Sequence, residues 1–132
     1  MSHTLAFEKH GLGCVVTLSG SLTAADLFAA NLSLYEADPD GRLRYQIWDL
    51  TRANSLTVSA SDLHELAAQD GEASEEAPGQ LVAICGPTGV LRGANELYSM
   101  YADEMTDFKT ETFSSVSRAR LWVERNLGRM AA

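Results

Sequence analysis

Apolar and polar positions alternate along some stretches of the chain and recur at helical spacing along others. Two short alternating runs come first, Thr4 to His10 and Cys14 to Gly20, and the GLG between them suits a hairpin turn. Leu27, Phe28, Ala30, Leu34 and Tyr35 then keep helical spacing until DPDG stops the run. Leu43 to Leu50 reads as a third strand, Ser59 to Asp70 as a second helix, and Gln80 to Gly86 as a strand apolar on both faces. Gly89 to Met105 predicts a third helix, with Leu91, Leu97, Tyr98 and Tyr101 among its apolar positions. Asp107 to Phe113 alternates as an outer strand does, and Ser114 to Gly128 closes the pattern as a helix.

The order is therefore ββαβαβαβα: an α/β domain with a five-stranded, mainly parallel sheet, one antiparallel strand and four helices. The doubly apolar LVAIC belongs inside the sheet and FKTETF at its edge. The acidic stretch from Asp70 to Gly79 shows no periodicity and is expected to be a mobile, solvated loop. LTAADL and VSASDL share one grammar: a hydroxyl cap at Thr23 or Ser59, an acid three residues later at Asp26 or Asp62, and flanking apolar residues. Such a capping box with a hydrophobic staple gives both hydroxyls a structural reason to be there.

With 132 residues the chain reads as a single domain, spanning 1–132, and buries roughly 70% of its unfolded surface. The balance of 10 basic and 18 acidic residues gives a net charge of −8, which argues against nucleic acid and anionic lipid as partners. No apolar run approaches the roughly 18 residues of a membrane span, and the first residues lack a secretion signal. Cys14 and Cys85 fall inside apolar strands, as buried reduced thiols of a cytoplasmic protein do.

Catalytic and cofactor chemistry finds little support. His3, His10 and His64 have no metal-ligand spacing, neither cysteine adjoins a base, and there is no GxSxG elbow. CGPTGVLRG places a glycine-rich turn between strand and helix, but its glycines at 86, 89 and 93 match neither a phosphate loop nor a dinucleotide fingerprint. No catalytic residue, metal site or cofactor is expected.

Several strings together resemble a known group. LSGSLTAADL (Leu18 to Leu27), YQIWDL (Tyr45 to Leu50), QLVAICGPTGVLRGANELYSMYAD (Gln80 to Asp103) and TFSSVSRARLWV (Thr112 to Val123) are similar to SpoIIAA-like proteins, related to STAS and SEC14-type (CRAL-TRIO) domains. The resemblance spans nearly the whole chain and implies a SpoIIAA-like (STAS-like) fold. It also implies a choice of roles, since STAS members act as phospho-regulated partners of anti-sigma factors and SEC14 relatives hold nonpolar ligands. Phosphoacceptor STAS domains carry Asp-Leu-Ser after the third strand and then Asp-Ser-Ser-Gly. This chain keeps Asp49 and Leu50 but reads TVSA (Thr57 to Ala60) where the second motif falls, without its acid or glycine.

Asp49, Ser55 and Ser59 are thus the candidates for a regulatory or phosphoacceptor turn, in which Asp49 is expected to accept hydrogen bonds from an Arg52–Ser55 turn. Leu91, Leu97, Tyr98 and Tyr101 are the candidates for an apolar pocket between the third helix and the sheet. The favoured reading is a non-enzymatic module that binds a small apolar or amphipathic ligand or a protein partner. The alternative is a phospho-regulated antagonist of anti-sigma factors, and oligomer formation stays open.

Overall fold

The computed structural model describes residues 3–131. β1 (His3–Glu8) pairs antiparallel with β2 (Gly13–Thr23), which runs parallel to β3 (Tyr45–Thr57). β4 (Leu81–Cys85) and β5 (Lys109–Phe113) continue the parallel set, so the five strands lie in chain order with β1 and β5 at the edges. The expected mainly parallel sheet with one antiparallel strand is present. Between β1 and β2 the turn falls earlier than GLG: Lys9, His10 and Gly11 all take positive φ (52, 58 and 90°), and Arg42 Nη2 donates to the His10 carbonyl at 3.0 Å.

The helices are α1 (Ala24–Glu36), α2 (Ala60–Glu76), α3 (Thr88–Leu91), α4 (Ala94–Met105) and α5 (Val116–Ala131). Strict alternation in the strands builds two cores. Val15, Tyr45, Ile47, Leu81, Ala83 and Cys85 face α5, where they meet Ala119 and Val123. Cys14, Val16, Leu18 and Leu50 face the opposite way, into a larger core shared with α1, α2 and α4. The candidate site lies within that second layer.

Both helix starts are capped as their shared grammar implies. Asp62 N–H donates to Ser59 Oγ at 3.1 Å while Ser59 N–H donates to the Asp62 carboxylate at 2.9 Å. At α1 the backbone N–H and hydroxyl of Thr23 both donate to Asp26, and that backbone bond is the chief cause holding the Asp26 carboxyl below its usual range.

Three expectations are corrected. The stretch Thr51–Thr57 is no turn but the second half of β3, because its backbone groups find partners along Ser19–Thr23 of β2. Thr17 pairs with Asp49 and Ser19 with Arg52, then Gly20 with Ala53 and Ser21 with Ser55, so β3 carries an extra residue at each of two irregularities. Asn54 occupies the second of them. Asp49 accordingly accepts from the N–H and hydroxyl of Thr51, at 3.0 and 2.6 Å, and not from an Arg52–Ser55 turn.

The acidic stretch from Asp70 is not a loop through most of its length, since α2 runs on to Glu76. Alanine and glutamate there are strong helix formers. Gly71 allows the extension to lie close against α4, because a Cβ built on it would stand 2.8 Å from the Met105 carbonyl oxygen. Lastly, the predicted third helix is broken in two. Arg92 leaves helical geometry (φ −55, ψ 128) and Gly93 takes φ +81, a value that L side chains rarely adopt.

Candidate functional site

A cleft of about 80 Å³ opens between the helices and the sheet. Its floor is the β3–β4 surface, with Trp48, Leu50 and Leu56 from one strand and Val82 and Ile84 from the other. Leu63 and Leu66 of α2, Leu27 of α1, Leu91 of α3 and Tyr98 of α4 form the walls. The apolar lining follows from the strand period of two and the helical period of 3.6, which bring these residues to one side of the sheet.

Polar groups reach the cleft at few points, and the densest group closes one end. Asp70 is 5% exposed and sits on α2, one helical turn beyond Leu66. Its Oδ1 accepts from the Tyr35 hydroxyl at 2.6 Å and from Asn31 Nδ2 at 3.2 Å, and its Oδ2 accepts from the Tyr98 hydroxyl. A second tier of amides lies behind it. Gln46 Nε2 donates to the Tyr35 oxygen at 3.3 Å and to Gln80 Oε1 at 2.8 Å, while Gln46 Oε1 accepts from Trp48 Nε1 at 2.9 Å. Gln46 and Gln80 are both almost fully buried, and each has its amide paired. A buried polar network with its members satisfied orders the elements it joins, here α1, α2, α4 and the sheet.

Burial pushes the Asp70 carboxyl upward, against the three hydrogen bonds from Tyr35, Tyr98 and Asn31 that favour its charged form. Burial and the neighbouring carboxylate push both tyrosine hydroxyls upward as well, so they act as donors. The arrangement presents a desolvated acid locked by three donors. Cys14 and Cys85 are fully buried, and burial pushes their thiols up to about 11 and about 12. Among the described residues, no three His, Cys, Asp or Glu side chains cluster to hold a metal. None of the described helices is long and apolar enough to cross a membrane.

The residues singled out in the sequence divide between settings. Leu91 and Tyr98 line the cleft. Leu97 and Tyr101 pack against the same core from outside the cleft lining, and the Tyr101 ring meets His64 edge-on at 5.0 Å. Asp49 is half-buried beside Thr51, Ser55 is exposed on β3 opposite Ser21, and Ser59 is the exposed cap of α2. They share no single turn. The sequence reading missed Asp70, Asn31, Tyr35, Gln46 and Gln80 as a group. The signal was there in part: Asn31 falls within the buried stripe of α1, between Leu27 and Leu34, and Asp70 follows Leu66 and Ala67 at helical spacing.

An α/β sandwich with this mixed sheet defines a fold class, and a solved structure identifies it. The chain is similar to an uncharacterised protein of the DUF3478 family with a SpoIIAA-like fold from Shewanella loihica PV-4, at 19% identity over 92% of each chain and a TM-score of 0.57. The fold is thus SpoIIAA-like. Neither a protein-family model nor a curated protein matches the sequence.

Proposed function

We propose that this chain is a non-enzymatic binding module whose cleft takes one small amphipathic molecule, mostly apolar in body. The observation that carries this reading is the apolar cleft itself, walled by leucines on three helices and closed by the Asp70 network. Apolar walls with few polar groups are the usual composition of small-molecule sites. The thiols are buried and raised and the desolvated Asp70 carboxyl is tied by three donors, so the site favours holding a ligand over transforming one.

Size gives the reading a mechanical consequence. An engineered apolar cavity of about 150 Å³ holds benzene, so a cleft of about 80 Å³ takes only a few heavy atoms as it stands. A longer chain enters if the α3–α4 wall moves, and the break at Arg92 and Gly93 is where that wall hinges. A phosphoswitch is the weaker account. Ser59 Oγ already accepts the Asp62 N–H, and a phosphoryl group there would face the Asp62 carboxylate.

Native mass spectrometry of freshly purified protein, with melting curves in fatty alcohols, fatty acids and aromatic amphiphiles, tests the proposal. A co-purified mass or a concentration-dependent rise in Tm is expected, because binding to the folded state stabilises it by mass action. A flat response to every compound, with no bound mass, contradicts it.

A further inference from the structure

Leu91 and Asn95 each line two cavities at once. On one side is the apolar cleft. On the other is a depression of about 450 Å³ at the carboxyl ends of β4 and β5, bordered by Thr88, Arg92, Glu96, Thr112 and Ser114. The first is a space for hydrocarbon, and the second adds hydroxyls and charges from Thr88, Thr112, Ser114, Arg92 and Glu96 to an apolar lining. Ligands of open α/β sheets are handled at the carboxyl ends of the strands, which is where the second cavity lies.

Asn95 stands at the junction in the first turn of α4. Its Nδ2 donates to Thr112 Oγ1 at 3.0 Å, which fixes the side chain against β5. Its Oδ1 is buried and has no hydrogen-bond partner among the described residues. A buried amide oxygen without a donor is costly. The contrast with Asp70 is informative: that carboxylate is filled by three donors from the protein, whereas Asn95 keeps an acceptor for something else.

Resting on the cleft reading above, we propose that the two cavities form one bipartite site. A single ligand lays its apolar body in the cleft and places in the second cavity an uncharged head whose N–H or O–H donates to Asn95 Oδ1. A fatty amide or a fatty alcohol has that chemistry. A carboxylate lacks the donor and would meet Glu96, while an ammonium would meet Arg92, and the opposite charges of those two residues leave no net preference for an ion. Leu91 separates the two compartments. It belongs to a helix of one turn whose Val90 and Leu91 N–H groups bond back to the Pro87 carbonyl, and the adjoining break at Arg92 and Gly93 lets it swing aside.

The test is a titration of the intact chain with matched pairs: 1-decanol and decanamide as donors, decyl methyl ether and methyl decanoate as acceptor-only partners. The donors are expected to bind roughly tenfold more tightly than their partners. Asn95→Leu, similar in size and without an acceptor, should remove most of each pair's preference while the acceptor-only partners keep their affinity. Asn95→Asp, which retains an acceptor, should preserve the preference, and this second variant guards against a folding defect in the first. Comparing variant with wild type cancels the different hydration of alcohol and ether. Equal, saturable binding of both partners by the wild type overturns the head-group assignment and leaves the cleft reading standing. No binding by any of the four overturns both.

Discussion

The carboxylate of Asp70 on α2 accepts the hydroxyl hydrogen of Tyr98 on α4, and this contact closes one end of the apolar cleft. Tyr35 and Asn31 bring α1 to the same carboxylate. Three helices are thus oriented over one face of the sheet by a single side chain, and the cleft is the space left between them.

Tyr98→Phe keeps the ring and removes the donor, so Asp70 Oδ2 loses its partner in a buried setting. The expected cost is about 1–3 kcal/mol in urea unfolding. Tyr101→Phe, on the same helix but outside the network, should stay within about 0.5 kcal/mol. Equal effects of the two substitutions would remove the special standing of the Asp70 contact.

A pH dependence follows from the same group. Burial raises the Asp70 carboxyl, so the folded chain holds this proton to higher pH than the unfolded chain, where an aspartate titrates near about 3.9. The stability it contributes is fully present below that value and is lost as pH rises through the raised one. Asp70→Asn does not titrate. The Tm of the variant relative to wild type should therefore improve as pH rises above about 3.9. A difference that holds constant or moves the other way contradicts the assignment.

Ser59→Ala removes the side-chain acceptor of a reciprocal capping box, and a loss of about 1 kcal/mol is expected. Ser55→Ala, at an exposed strand position, should be nearly silent in the same unfolding measurement. A silent Ser59→Ala would mean that the hydroxyl does not hold the start of α2.

Gly71→Ala forces a methyl group to within 2.8 Å of the Met105 carbonyl oxygen. Helices α2 and α4 must then separate, and a lower Tm is expected in calorimetry. An unchanged or raised Tm would show that the two helices do not depend on this close approach.

The parts of the fold legible in the sequence were those governed by local chemistry. The caps at Thr23 and Ser59, the doubly apolar β4 and the alternating β5 follow from residues near one another. The reach of α2 and β3 did not, because both are decided by distant partners. Asp70 looks like the start of a solvated acidic stretch until Tyr35 and Tyr98, 35 and 28 residues away, are placed beside it. Likewise Thr51–Thr57 reads as a turn by composition and becomes a strand because β2 runs alongside. For the candidate site, Leu91 and Tyr98 were within reach of helical periodicity. The polar ends of the cleft were not, since Asn31, Gln46, Gln80 and Asn95 are short, scattered amides whose role appears only when the elements are packed together.

The central claim is that the cleft between the sheet and α1, α2 and α4 is a binding site. Methyl NMR of the leucine- and valine-labelled chain during titration with 1-decanol tests it most directly. The account predicts saturable shifts at Leu27, Leu63, Leu66 and Leu91, which line the cleft, with Val123 and Leu127 on the α5 side unmoved. Shifts spread equally over both faces of the sheet, or none at saturating ligand, would contradict it.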